Sequence, residues 1–135
     1  MAIVPQLARP YRIAVPSPFL DRPRAEWVAS NALAFAIRSR GHTLVVPFRL
    51  VATWFDASRE EKMAIVELVD QVKAQLDAEF RPDGYNVGFN AGDAAGQTVM
   101  HLHVHVIPRY RGDMADPRGG VRHVIPDRGN YLRKS

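Results

Sequence analysis

Cysteine is absent from all 135 residues. Its absence excludes disulfides, thiolate nucleophiles, iron–sulfur clusters and cysteine-ligated zinc from this chain. Long apolar runs are also missing: no stretch approaches the ~20 residues that a membrane-spanning helix needs. Residues 1–10 lack the hydrophobic core of a signal peptide, so the expectation is a cytoplasmic protein without a membrane partner. Low-complexity segments are absent too, and with 47% hydrophobic and 24% charged residues wholesale disorder is excluded. What remains is one compact domain over residues 1–135, too short for two independent cores.

Charge is the first positive signal. The net +4 is unevenly placed: residues 1–108 carry 11 Lys and Arg against 11 Asp and Glu, and residues 109–135 carry 7 against 3. All of the excess therefore sits in the tail 109–135. Of the 18 basic residues 15 are arginine, whose planar fork suits phosphate and carboxylate better than an ammonium does. A solvated basic tail explains this as readily as a ligand site does. The charge is modest and lacks interleaved aromatics, so nucleic acid is not an expected partner.

Proline marks the N-terminal end as an arm over residues 1–20, with Pro5, Pro10, Pro16 and Pro18. Residues 25–38 read as two short strands turning at Ser30-Asn31, and 42–48 (HTLVVPF) as a buried strand. Ser58 and Glu61 have the spacing of a capping box. Behind them Ile65, Val69, Val72, Leu76 and Phe80 recur at three- and four-residue steps, which predicts an amphipathic helix over 59–80. Pro82-Asp83-Gly84 should stop it. Strands are predicted over 85–90 and 99–107, with a small-residue loop at 91–96 and little regular structure beyond Pro108 except around 121–125. The fold class is α+β: an antiparallel sheet with one main helix packed on it.

The chemistry concentrates in His101-Leu102-His103-Val104-His105. On a strand, alternate side chains share a face about 6.6 Å apart, so the three imidazoles would line one face and Leu102, Val104 and Val106 the other. Packing alone does not call for three imidazoles in five residues. Two readings compete. Imidazole is a common zinc ligand, and it is also a nucleophile whose neighbours can set its tautomer. No Asp or Glu lies within the cluster to complete a metal site. The preceding segment, with Asn90, Gly92, Gly96, Gln97 and Thr98, offers backbone N–H groups, an amide and a hydroxyl that suit phosphate oxygens. Phosphoryl chemistry is the better fit, with no metal and no cofactor required.

The segment GDAAGQTVMHLHVHVIPR closely resembles the signature of the histidine triad (HIT) nucleotide hydrolases and transferases. SRGHTLVVPFRLVATWF and the helix after it extend the resemblance over roughly residues 25–110. The ending Ile107-Pro108-Arg109 is similar to the Fhit-like and general bacterial branches. The resemblance implies that His103 is the nucleophile that attacks the α-phosphorus and forms a nucleotidyl-histidine. It further implies that His105 contacts the α-phosphate, that His101 supports the nucleophile, and that His42 is the fourth histidine of the relay. Asn90, Gln97 and Thr98, with backbone N–H groups from Gly96 to Val99, would hold phosphate oxygens and the leaving group. The implied fold is a HIT-like α+β domain whose sheet continues across a homodimer.

Two departures from the family pattern stand out. Many bacterial relatives open with Cys-Pro-Phe-Cys, half of a structural zinc site, where this chain has Ser17-Pro18-Phe19-Leu20, so that zinc is not expected. The loop between Phe35 and His42 is several residues short, and Ser39 becomes the nearest counterpart of the residue that meets the ribose hydroxyls. Trp27, Phe35 and Ile37 could line a base pocket, although core packing accounts for each, and His123 reads as a surface histidine. The implied activity is release of a nucleoside monophosphate from a dinucleoside polyphosphate or a phosphoramidate. The alternatives are a nucleotide-binding module with little turnover and a histidine-ligated metalloprotein.

Overall fold

The computed structural model describes residues 17–132. Residues 1–16 of the expected arm lie outside the described residues, and 17–20 lead into a turn. Five strands follow: β1 (Trp27–Ser30), β2 (Ala34–Ser39), β3 (His42–Pro47), β4 (Gly84–Gly88) and β5 (Val104–Arg109). One long helix, α1 (Arg59–Phe80), separates β3 from β4. The strands form a single antiparallel sheet in the order β1-β2-β3-β5-β4. The predicted α+β class, with one main helix on an antiparallel sheet, is the architecture observed. No helix among the described residues is long and apolar enough to cross a membrane.

The β1–β2 connection turns at Asn31, whose Oδ1 accepts from the N–H groups of Leu33 and Ala34 while its Nδ2 donates to the Ala64 carbonyl at 2.9 Å. That asparagine both shapes the turn and ties it to the helix. The short loop read from the sequence is a tight hairpin. Ser39 pairs with His42, leaving only Arg40 and Gly41 between them, and Gly41 sits at φ +77 where a side chain would be strained.

Helix α1 starts as its residues dictate. Ser58 Oγ accepts from the Glu61 N–H at 3.0 Å and Glu61 Oε1 accepts from the Ser58 N–H at 2.8 Å. Arg81, in the left-handed region, ends the helix, and Pro82 blocks another turn. The buried face is Ala64, Ile65, Leu68, Val72 and Leu76. Phe80, expected on that face, is instead exposed at the last turn of the helix and lies under the Arg38 guanidinium, beside the β2–β3 hairpin.

Alternation sorts the sheet into two faces. Ala34, Ala36, Val45, Val104 and Val106 meet the helix, together with Leu102. Phe35, Ile37, Leu44 and Val46 cluster on the other face with Phe19, Trp27 and Phe48. Phe35 and Ile37 are fully buried there, which is the core role the sequence allowed them.

The loop between β3 and α1 is anchored by Arg49. Its guanidinium grips Glu61 in two bonds, 2.7 and 3.1 Å. That grip, with the Ser58 bonds, holds the Glu61 carboxyl down at about 2 against the cost of burial. Replacing it with Glu61→Gln leaves volume unchanged but removes a charged acceptor from both the cap and Arg49. The expected loss is about 1–2 kcal/mol of folding stability, read from urea denaturation at pH 7. Unchanged stability would show that the anchor contributes nothing.

Candidate active site

β3 and β5 are neighbours in register, with Leu44 opposite His105 and Thr43 opposite Val106. Residues directly opposite share a face, so His42, Leu44 and His105 project together, away from the helix. His105 Nδ1 lies 3.1 Å from His42 Nε2, and the two rings stack at 5.1 Å between centroids. His103 meets His105 edge to face, with centroids 5.0 Å apart. Three of the four predicted histidines bring their rings together, and His101 joins them only through its main-chain carbonyl, its ring being bonded elsewhere.

The strand expected over 99–107 begins only at Val104. β4 ends opposite His105 and β3 supplies partners only as far as Val104, so residues 99–103 have no ladder to join. They are held by a single main-chain bond, from the Leu102 N–H to the Val51 carbonyl at 2.8 Å. His101 and His103 are therefore placed by their own ring bonds and not by strand geometry. At its far end β5 runs two residues beyond the prediction, to Arg109, because its pairing with β4 continues through Tyr85–Pro108 and Gly84–Arg109. β4 itself is Gly84–Gly88, shifted from the expected 85–90.

In a neutral imidazole, a bond to a carbonyl fixes the tautomer, because a carbonyl oxygen can only accept. His42 Nδ1 faces the Arg40 carbonyl at 3.0 Å and so carries a proton. Its Nε2 is then a lone pair that accepts from His105 Nδ1–H. His103 Nδ1–H donates to the main-chain carbonyl of His101 at 2.8 Å, which leaves His103 Nε2 as a lone pair. His101 is fully buried, its Nε2–H donating to the Pro47 carbonyl at 2.8 Å and its Nδ1 accepting from the Ser17 hydroxyl at 2.7 Å. Burial pushes the His101 ring below its ordinary range, the neighbouring carbonyls opposing this in part. His105 is pushed down to about 4, chiefly by burial and then by His103 and His42. Among the described residues its Nε2 has no partner.

The loop residues divide. Asn90 shares a cavity of about 630 Å³ with His105, Ala94 and Ala95, closed on one side by Val121 and Val124 from the tail. Gln97 is a correction: its side chain is buried, accepting from the Gly92 N–H and donating to the carbonyls of Ala52 and Val99. All of its side-chain hydrogens are engaged, so its amide braces the loop and cannot also donate to phosphate. Two of the four expected main-chain donors are similarly engaged. The N–H groups of Gly96 and Gln97 close a 3-10 turn over Asp93–Ala95, onto Asp93 and Gly92. Among the described residues the Thr98 and Val99 N–H groups have no internal partner, and Thr98 is exposed.

Ser39 and His42 border a different hollow of about 300 Å³ at the hairpin tip, walled by Leu76, Phe80 and Tyr110. The cavity that holds Asn90 and His105 does not include Ser39. In the tail, the 3-10 turn Gly120–Val124 occupies the stretch where some regularity was expected, and His123 is exposed on it. The tail charge is partly internal, since Arg109 pairs with Asp113 and Arg118 with Asp116. Thiolate-held zinc has no place at Ser17-Pro18-Phe19-Leu20, where the serine hydroxyl is bonded to His101 and leucine offers no donor atom.

This fold and this cluster agree with what comparison with known proteins finds. The chain belongs to the HIT domain family, whose pattern matches residues 32–112. It is 36% identical over 92 residues to an AP-4-A phosphorylase of Mycobacterium tuberculosis, covering 64% of this chain and 47% of that protein. It is also 36% identical over 101 residues to a bis(5'-adenosyl)-triphosphatase of Dictyostelium discoideum, covering 71% of this chain and 67% of the relative. The crystal structure of a Hit-like protein from Bartonella henselae superposes with a TM-score of 0.61 at 28% identity, covering 81% of both chains. This chain spans about half the length of most of the curated relatives it matches.

The depressed His105 ring has a consequence for stability. A histidine harder to protonate folded than unfolded binds fewer protons in the native state, so stability falls as pH drops from about 6.5 towards 4 and is fully present above that window. The expected loss is on the order of 2–3 kcal/mol between pH 7 and 4.5, measured by urea denaturation. His105→Asn should lose markedly less over the same range, and equal losses in both proteins would contradict the assignment.

Proposed function

We propose that the chain cleaves a nucleotide at its α-phosphorus through His103. The observation that carries this reading is the bond from His103 Nδ1–H to the His101 carbonyl, which leaves Nε2 as a bare lone pair beside the His105–His42 pair. Attack forms a bond between Nε2 and the α-phosphorus and breaks the bond from that phosphorus to the leaving group, which departs with the electron pair and takes a proton. The ring becomes cationic, and its Nδ1–H then donates more strongly to the same carbonyl. Water next forms a P–O bond and gives up one proton to solvent, balancing the one the leaving group took, while the P–N bond breaks with its electron pair returning to Nε2. The products are the neutral imidazole and a nucleoside monophosphate. Asn90, His105 and the N–H groups of Thr98 and Val99 hold phosphate oxygens. Gly96 and Gln97 shape the loop that presents them, and the ribose contact falls to Ser39, which borders the neighbouring hollow together with His42.

Relatives named as an AP-4-A phosphorylase and a bis(5'-adenosyl)-triphosphatase favour a dinucleoside polyphosphate over a phosphoramidate. The enzyme works in the cytoplasm, without a cofactor. It works as a homodimer whose sheet continues from one copy into the other, both end strands of the sheet, β1 and β4, having an outer side without a strand partner among the described residues.

The test is a substrate panel of adenosine phosphoramidate and dinucleoside tri- and tetraphosphates, with and without inorganic phosphate. His103→Ala should lower kcat at least a thousandfold on every cleaved substrate while the protein stays folded and still binds nucleotide. Activity within a few fold of the parent would assign the chemistry elsewhere. Exhaustive chelation should leave the rate unchanged, and loss of activity restored stoichiometrically by zinc would favour the metal reading.

A further inference from the structure

Beyond the histidines, two residues of the segment entering β1 touch the site directly. Ser17 is 1% exposed, although it lies only ten residues before the edge strand. Its Oγ accepts from the Phe19 N–H at 3.2 Å and donates to His101 Nδ1 at 2.7 Å. Phe19 packs its ring against His103 at 4.9 Å and His101 at 6.0 Å between centroids. A serine hydroxyl has one proton to give. With the Pro47 carbonyl on the other nitrogen, that proton fills the last open valence of a wholly buried ring.

The bonds then run in series. The Phe19 N–H donates to Ser17, Ser17 to His101, and His101 Nε2–H to Pro47, while the His101 carbonyl receives His103 Nδ1–H. Residues 99–103 lack strand pairing, so that carbonyl is held by the Leu102–Val51 bond, the buried Leu102 side chain, the Gln97–Val99 bond and the His101 ring, of which only the ring belongs to the same residue as the carbonyl. We propose that Ser17 is a positioning residue of the active site: by donating to His101 it fixes the carbonyl that orients His103 and keeps His103 Nε2 the unprotonated nitrogen. The inference rests on the reading of His103 as nucleophile for its kinetic consequence, and on geometry alone for its spectroscopic one.

Removing the hydroxyl leaves a buried lone pair without a donor, and the ring and its main chain must shift to relieve it. A displacement of the order of 1 Å at a nucleophile costs on the order of a hundredfold in rate. The experiment compares the full-length chain with Ser17→Ala and Ser17→Cys, a thiol being a weaker donor of similar size. On the best substrate of the panel, Ser17→Ala should lower kcat about tenfold to a hundredfold and change KM less than threefold, with Ser17→Cys in between. In nitrogen-15 spectra at pH 7, the parent should show a protonated Nε2 in His101 and a protonated Nδ1 in His103. Ser17→Ala should broaden or exchange-average the His103 Nδ1–H signal.

Parent-like kcat together with unchanged ring signals in Ser17→Ala would overturn the proposal, as would an equal fall in the stability of the fold with both ring signals intact. Should Ser17→Ala fail to fold, Ser17→Cys decides by the same two readouts, and parent-like values there overturn it. Should His103→Ala keep its activity, the nucleophile assignment falls, while the ring signals still judge whether Ser17 orders His101 and His103.

Discussion

A neutral imidazole has one N–H and one lone pair, and the site is built on where each of these goes. The bond from His103 Nδ1–H to the His101 carbonyl settles it for the central ring, and the remaining contacts support that bond. The carbonyl belongs to a residue whose own ring is tied at both nitrogens, to Pro47 at the end of β3 and to Ser17. The segment after β3 reaches back as well, its Val51 carbonyl receiving Leu102 and its Ala52 carbonyl receiving Gln97. Arg49, from that same segment, is clamped to Glu61 at the start of the helix. One long helix, through its first turn, thus steadies the loop and the irregular stretch on which two of the histidines sit.

The sheet supplies the other half of the arrangement. Pairing of Leu44 with His105 puts His42 and His105 on one face, and a one-residue slip would send one of them into the core beneath the helix. Such a slip is opposed by the apolar residues between them, since Val45, Val104 and Val106 fill the opposite face. The tight hairpin at Arg40-Gly41 contributes to the same end by bringing His42 directly out of the turn, with no loop to let it wander. Packing on one side of the sheet therefore sets the register on which the chemistry of the other side depends.

Much of this was legible in the sequence where the determinant was local. The capping pair Ser58 and Glu61, the helix 59–80 and the strand starting at His42 are legible in neighbouring residues; the helix bounds agree with the structure, and the strand, expected over 42–48, ends at Pro47. The convergence of His42 with the triad came from the family resemblance, since the two segments are about 60 residues apart. What local reading missed depended on distant partners. Nothing near Val99 announces that β3 and β4 stop short of it, so the local pattern predicts a strand longer than the one that forms. Gln97 looked like a phosphate ligand because the carbonyl that claims its amide, Ala52, lies 45 residues away. Nothing local distinguishes Ser17 except that it stands where many relatives have cysteine, and its bond to His101 spans 84 residues.

Among the described residues the partners of the four rings are carbonyls, one hydroxyl and one another, with no carboxylate among them. An acidic neighbour would favour the cationic ring, as in sites where a histidine must stay charged. Here burial keeps His105 neutral near pH 7, with Nδ1–H engaged by His42 and Nε2 bare. On the proposed reading the missing negative charge arrives with the substrate. A phosphate beside His105 offsets the cost of burying an imidazolium, so the ring takes up a proton at Nε2 and becomes a donor to a phosphate oxygen. His103, fixed by the His101 carbonyl, keeps its lone pair facing the same phosphorus. On that reading two histidines two residues apart serve as donor and nucleophile, the difference between them being set by what each Nδ1–H is bonded to: a ring in one case, a main-chain oxygen in the other.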